Sequence, residues 1–316
     1  MRREKEEEFF SRPNSFRRIL TFSPTTSHFP LPTSFFSLQS MHCYVINLPT
    51  AVRRLDRTKR ELATYCPKLT WSVPPMFVAA EMSDDQFAAV YDSNAAWKLH
   101  NRDLSRGEIA CALSHQSALR EFLKTEDSCC MIVEDDVLFS PAIGDFLDGL
   151  QNWMARRGEK PTCAVLSEAA AVRYWTARRW IGDIKRTRPI EIYGAIAYVV
   201  NRAGAKSILE TNAVPIKTMS DQWAFYRQNG LSVFGVDQFL AGSFDFSRED
   251  SSLSVGRAEV YQQSKKFARP SLLKRKVMGI KAYAQRIFWA LTGVCGGGET
   301  ARIPDYIKMQ IEKGAR

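Results

Sequence analysis

The chain has 316 residues, 45% hydrophobic and 25% charged, which is enough for one substantial core and short for two full domains with linkers. Its formal charge of +10 is concentrated from Lys265 onward, where twelve Lys and Arg face three Asp and Glu, leaving the rest close to neutral. A basic tail on a near-neutral body, with no nucleic-acid motif, argues against a nucleic-acid-binding domain. No run of about 18 apolar residues occurs and no signal-peptide stretch opens the chain, so a cytoplasmic location is expected. Seven cysteines without CxxC spacing argue against a disulfide framework or a zinc site and read as small buried hydrophobes.

In chain order, residues 1–40 begin with MRREKEEE and continue through Ser, Thr, Pro and Phe without period-2 or period-3.6 patterning, as a disordered extension does. Met41 directly precedes the first strand, which leaves this extension either as an upstream addition or as a flexible arm. From there to about residue 262, short apolar runs alternate with helical segments. The pattern predicts an α/β catalytic domain on a mostly parallel sheet. Strands are predicted near 43–48, 71–79, 129–134, 163–167, 191–200 and 231–236, with helices over 51–64, 106–124, 202–210 and 221–229. The helix from Arg106 carries the capping box Ser105-Arg106-Gly107-Glu108 and an inward stripe of Ile109, Ala112, Leu113, Leu119, Phe122 and Leu123. Residues 263–316 form a basic tail, partly helical, in which Val277, Ile280, Ala284, Ile287, Phe288 and Leu291 recur among Lys and Arg. Such a helix either packs on the domain or lies on an anionic membrane surface.

Chemistry gathers at the end of the run Cys129-Cys130-Met131-Ile132-Val133, where Glu134-Asp135-Asp136 follows directly. Ligands bind at the carboxyl ends of strands in open α/β sheets, and three adjacent acids repel one another unless a cation neutralises them. Along an extended backbone Glu134 and Asp136 point to one side and Asp135 to the other. One side could hold Mg²⁺ or Mn²⁺ and the other contact a sugar or ribose hydroxyl. Acidic turns of this kind also occur in receivers, phosphatases and nucleases. A receiver is disfavoured because Asp183, the nearest phosphoacceptor, lies between arginine-rich stretches and does not follow a second apolar strand.

Arg53 and Arg54 stand in the first turn of the first helix, against its dipole. A diphosphate or nucleotide near Asn47, Arg53 and Arg54 would compensate; the alternative is an exposed basic face shared with Arg57, Lys59 and Arg60. Glu108 is explained by its cap, His115 by a helix boundary, and Asp221 by a helix start, unless the fold brings them to the acidic turn.

Four phrases, in order, resemble glycosyltransferase family 25, whose bacterial members build lipopolysaccharide and whose animal relatives galactosylate collagen. They are Val45-Ile46-Asn47-Leu48-Pro49 with Arg53-Arg54; Leu104-Ser105-Arg106-Gly107-Glu108-Ile109-Ala110-Cys111-Ala112-Leu113-Ser114-His115; Ile132-Val133-Glu134-Asp135-Asp136-Val137; and Tyr193-Gly194-Ala195 through Tyr198 with Asn201, Gly204 and Ala205, followed by Asp221. Ala79-Ala80-Glu81-Met82 departs from the family's Ala-Val-Asp-Gly, and the tail has no family counterpart.

The resemblance implies a Rossmann-like, A-type nucleotide-sugar fold and inverting transfer from a nucleotide diphosphate sugar such as UDP-galactose to a saccharide acceptor such as lipopolysaccharide. In that scheme Glu134 and Asp136 hold Mn²⁺ or Mg²⁺, and Asn47, Arg53, Arg54, Glu108 and Asp135 serve the donor. Asp221 is the candidate base, with His115 second. A metal-dependent phosphotransferase or nuclease, and a catalytically silent membrane-associated relative, are the competing classes.

Overall fold

A computed structural model describes residues 41–167, 171–173, 177–192, 194–244, 260 and 294–296. The expectations for residues 1–40, for the tail helix and for Tyr193 lie outside these residues. The elements are β1 (His42–Ile46), α1 (Val52–Tyr65), β2 (Thr70–Ser72), α2 (Asp84–Val90), α3 (Ser93–His100), α4 (Arg106–Lys124), β3 (Cys129–Glu134), β4 (Val137–Phe139) and α5 (Ile143–Ala155). After them come β5 (Thr162–Val165), β6 (Ala171–Arg173), β7 (Arg178–Ile181), β8 (Ile184–Thr187), β9 (Pro189–Glu191) and β10 (Ala197–Asn201). The last are α6 (Arg202–Thr211), α7 (Trp223–Gln228), β11 (Ser232–Val236), β12 (Ala241–Ser243) and β13 (Val294–Gly296).

The main sheet has the order β2-β1-β3-β10-β5-β11-β8-β7. β1 runs parallel to β2 and β3, and β5 runs parallel to β11, while β10 lies antiparallel between β3 and β5. The sheet is therefore α/β and mixed, its strands running one way except β10 and β8. Central β3 is apolar along its length because both faces are covered. Cys129, Met131 and Val133 join one core with α1 and α5. Cys130 and Ile132 join the other with α4, α6 and α7. Such two-sided burial turns period-2 alternation into a continuous apolar run.

Two predicted strands change and an unpredicted hairpin appears. The strand expected over 71–79 stops at Ser72, because Pro74 and Pro75 follow and have no N–H for a ladder. The strand expected over 191–200 divides into β9 and β10, with Gly194 between them at φ +80°, where side-chain-bearing residues are strained. The region around Asp183 forms an antiparallel hairpin of β7 and β8, turned at Gly182 with φ +55°. Part of the presumed tail also returns: β13 pairs antiparallel with β6.

Helix α4 is the structural pivot. Ser105 Oγ accepts from the Glu108 N–H at 3.2 Å and Glu108 Oε2 accepts from the Ser105 N–H at 2.9 Å, so the capping box forms as its spacing requires. Twelve of its 19 residues are buried, because it packs on the sheet through Leu119 and Phe122 and under a third cluster through Ile109, Ala112 and Leu113. Asn201 makes the matching joint for α6: its Oδ1 accepts from Gly204 N–H at 2.8 Å and from Thr162 N–H at 3.0 Å. A Cβ on Gly204 would stand 2.6 Å from the Thr162 carbonyl oxygen, so helix and strand meet there at backbone distance.

Candidate active site

The parallel register of β1 and β3 pairs Ile46 with Glu134, so Asn47 and the acidic turn leave the sheet side by side. Helix α1 starts after this edge and lays one face over it. Arg54 and Thr58, one turn apart, both reach Asp135. Arg54 Nη2 lies 2.6 Å from Asp135 Oδ1 and 3.7 Å from Asp136 Oδ2, while Thr58 Oγ1 donates to the Asp135 carbonyl at 2.9 Å. The alternative of a solvated basic face therefore holds for Arg53, which is exposed, and not for Arg54.

The alternation expected for the three acids is corrected. The strand ends at Glu134 and residues 135–136 form a turn, so Asp135 and Asp136 both approach Arg54 instead of opposing one another. Glu134 points towards α4, its Oε1 3.5 Å from His115 Nε2. Its charge still acts on both neighbours, being the second cause after burial that raises the Asp136 carboxyl. Burial pushes Asp135 up to about 7, with Arg54 pulling it down and Asp136 and Glu134 pushing it up. The dominant cause in both is desolvation, which penalises a charge wherever water is excluded.

Strand β12 pairs Ser243 with Val137 of β4 and brings its hydroxyl to Asp136 Oδ2, donating at 2.6 Å. Asp136 Oδ1 is buried without a hydrogen-bond partner, as are Asn47 Oδ1 and Arg54 Nε. Native interiors pair nearly all such atoms, so three in one place mark a surface shaped for something polar. Phe244, next to Ser243, lies beneath the Arg57 guanidinium at 3.8 Å and near that of Arg54 at 5.9 Å. Ser243 and Phe244 were invisible in the sequence, because more than a hundred residues separate them from the acids they contact.

The other candidates separate. Asp221 arrives at the same edge: its Oδ2 accepts from Gly194 N–H at 3.2 Å, two residues before Ile196, whose carbonyl accepts from Glu134 N–H at 2.8 Å. Glu108 is engaged within the frame. Its carboxylate is 1% exposed and takes both guanidinium nitrogens of Arg102 at 2.8 Å, besides its cap bond. His115, the second candidate for base, has a side chain 3% exposed, and its Nδ1 meets Tyr198 Oη at 3.1 Å. Arg102 was missed, although an arginine six residues before a buried glutamate was available as a signal. Among the described residues no helix is long and apolar enough to cross a membrane.

No curated protein matches the chain. Among solved structures it is similar to that of a glycosyltransferase involved in the glycosylation of the major capsid of PBCV-1, at 11% identity and a TM-score of 0.34, over 72% of this chain and 99% of that one. The model of glycosyltransferase family 25, described as LPS biosynthesis protein, matches residues 40–223. Because that match spans more than half of the chain and runs from β1 through Arg54, the capped helix and the acidic turn to Asp221, the chain belongs to glycosyltransferase family 25.

Proposed function

We propose that this glycosyltransferase moves galactose from UDP-galactose to a saccharide of lipopolysaccharide or a similar glycan, with inversion at the anomeric carbon and with a divalent cation at the acidic turn. The observation that carries the reading is the buried Asp136 Oδ1 without a partner, beside Glu134 at the carboxyl end of β3. The donor set fits Mg²⁺ or Mn²⁺, which favour carboxylate oxygens. Asp136 would hold the ion through its unpartnered Oδ1, with Glu134 close enough for its charge to act there, and the bound ion would neutralise charge on the departing diphosphate. Asp135, oriented by Arg54, contacts a donor hydroxyl, and Arg54 offers its Nε to phosphate. Asn47 Oδ1 accepts from the nucleotide. Asp221 takes the proton of the acceptor hydroxyl as that oxygen attacks, its carboxylate held in place by the Gly194 N–H.

Family membership favours transfer over the phosphotransferase and nuclease readings. Turnover separates it from a silent relative. In Asp136→Asn, donor turnover with Mn²⁺ titrated should fall about 10²- to 10³-fold, as loss of a comparable electrostatic contact does, with the chelated protein melting no lower than wild type. Near-wild-type turnover at limiting Mn²⁺ in a folded variant would remove the acidic turn from the reaction. A thermal-shift screen should show UDP-galactose giving a larger Mn²⁺-dependent rise than GDP-sugars; the reverse order would overturn the donor.

The basic segment after Lys265 brings the enzyme to anionic membrane, where each basic residue contributes about 1 kcal/mol. Replacing Lys274, Arg275 and Lys276 with Glu should lower co-sedimentation with phosphatidylglycerol vesicles at low salt. Equal recovery of variant and wild type ends that idea.

A further inference from the structure

A second cluster lies behind the acidic turn, on the α4 side. Cys111 and His115 are four residues apart and share one face of the helix, and Glu134 reaches them from the end of β3. One ligand atom from each residue lies within 4.8 Å of the others. The geometry points to a second cation site, for a thiophilic divalent ion of the zinc class, formed by Cys111 Sγ, His115 Nε2 and the Glu134 carboxylate. This inference shares Glu134 with the proposed donor-cation pair but does not rest on it.

The observation that demands an occupant is His115 Nε2, buried and without a hydrogen-bond partner while aimed at Glu134. Its 3.5 Å separation from Glu134 Oε1 is long for a charge-assisted hydrogen bond, which closes to about 2.7–2.9 Å. It is the spacing expected between two ligands of one tetrahedral ion, because bonds of about 2.0–2.3 Å at tetrahedral angles put ligand atoms about 3.5 Å apart. The opposite ring nitrogen is already oriented. Nδ1 is engaged by Tyr198 Oη at 3.1 Å, so Nε2 is the ring atom left facing the cluster; a metal there requires the tautomer in which Nδ1–H donates to the phenol oxygen, as the outer partner of a metal-bound imidazole does. Tyr198 is buried and its phenol is pushed well above its ordinary range, so it stays a neutral partner.

The chemistry selects the ion. A thiolate and an imidazole favour zinc or cobalt over Mg²⁺, whereas the oxygen-only pair at the acidic turn has the opposite preference. Cys111 loses its proton to solvent on binding. It is only partly buried, unlike Cys43, Cys129, Cys130 and Cys163. The fourth position is left for water on the side where Glu134 is 29% exposed.

The test uses the full chain, stripped with a chelator, kept reduced and titrated with Co²⁺. One equivalent should produce a thiolate-to-cobalt charge-transfer band that Zn²⁺ abolishes and excess Mg²⁺ leaves in place. Cys111→Ser should lose the band and keep its melting temperature. Asp136→Asn should keep the band, so failure of the donor-cation reading and failure of this one are told apart. No charge-transfer band at several equivalents, a band that survives in Cys111→Ser, or a band lost in folded Asp136→Asn overturns the proposal. X-ray absorption of the zinc-loaded wild type needs no variant: one sulfur with nitrogen and oxygen neighbours is expected, and a shell of nitrogen and oxygen alone overturns it.

Discussion

Asp135→Asn should stabilise the metal-free protein above neutral pH and do almost nothing at pH 4. In the fold this carboxyl sits at about 7 against an ordinary 3.8, chiefly because burial strips water from its charged form. A folded value above the unfolded one means that the native state binds the proton more tightly. Stability is then greatest below about 4 and declines as pH rises through 7. Each pH unit of the gap corresponds to about 1.4 kcal/mol, so ionised Asp135 costs the chelated fold ~4 kcal/mol at pH 8. The attraction of Arg54, 2.6 Å away, is already contained in that figure and is not subtracted again. Asparagine stays neutral throughout, so most of that cost should be recovered at pH 8. At roughly 2–4 °C per kcal/mol for a domain of this size, the variant should melt ~10 °C above wild type at pH 8. At pH 4 the curves should close to within about 0.5 kcal/mol, since the carboxyl is then protonated in the fold and about half protonated in the unfolded chain. The assay is a pair of melting series in EDTA from pH 4 to 8. A variant that melts at or below wild type at pH 8, or a gap that does not widen with pH, would refute the desolvation argument.

Two further outcomes test how the frame supports the site. Glu108→Gln should lower stability by about 2–3 kcal/mol, because Arg102 loses its charged partner in a buried pair, while the KM for donor stays unchanged; a raised KM with normal melting would restore Glu108 to the donor site. Gly204→Ala should cost about 1–3 kcal/mol in a denaturant titration, since its Cβ meets the fixed Thr162 carbonyl at 2.6 Å, and a neutral result would mean that α6 can slide away from β5.

What the sequence revealed depended on whether the signal was local. β3 was legible to the residue because burial on both faces writes itself as an apolar run, and α4 because its capping box lies within four residues. The β7–β8 hairpin was missed although Gly182-Asp183 is a two-residue turn signal, because arginine-rich flanks do not look like strands. Of the site, the acids were evident, but their orientation was not. Alternation holds only while the chain stays extended, and it turns at residues 135–136. The choice of Arg54 over Arg53 depends on which face of α1 meets the turn, fixed by packing with Thr58 and β4. Cys111 and His115 looked like core and boundary residues because the third member of their cluster, Glu134, comes from another element.

The arrangement of charge explains why so polar a turn can follow so apolar a strand. Glu134, Asp135 and Asp136 bring three formal negative charges to the edge of β3, and Arg54 is the guanidinium placed against two of them. One cation cannot balance three carboxylates. The chelated fold resolves part of the excess by holding Asp135 close to half protonated at neutral pH and by raising Asp136. Ser243 supplies one hydrogen bond to Asp136 Oδ2 and leaves Oδ1 without a partner in a buried position. An apolar replacement there would pack more comfortably, since a desolvated carboxylate with an unmet oxygen gives the fold nothing. On the proposed reading, a divalent charge and a diphosphate would complete a balance that the chain by itself leaves negative.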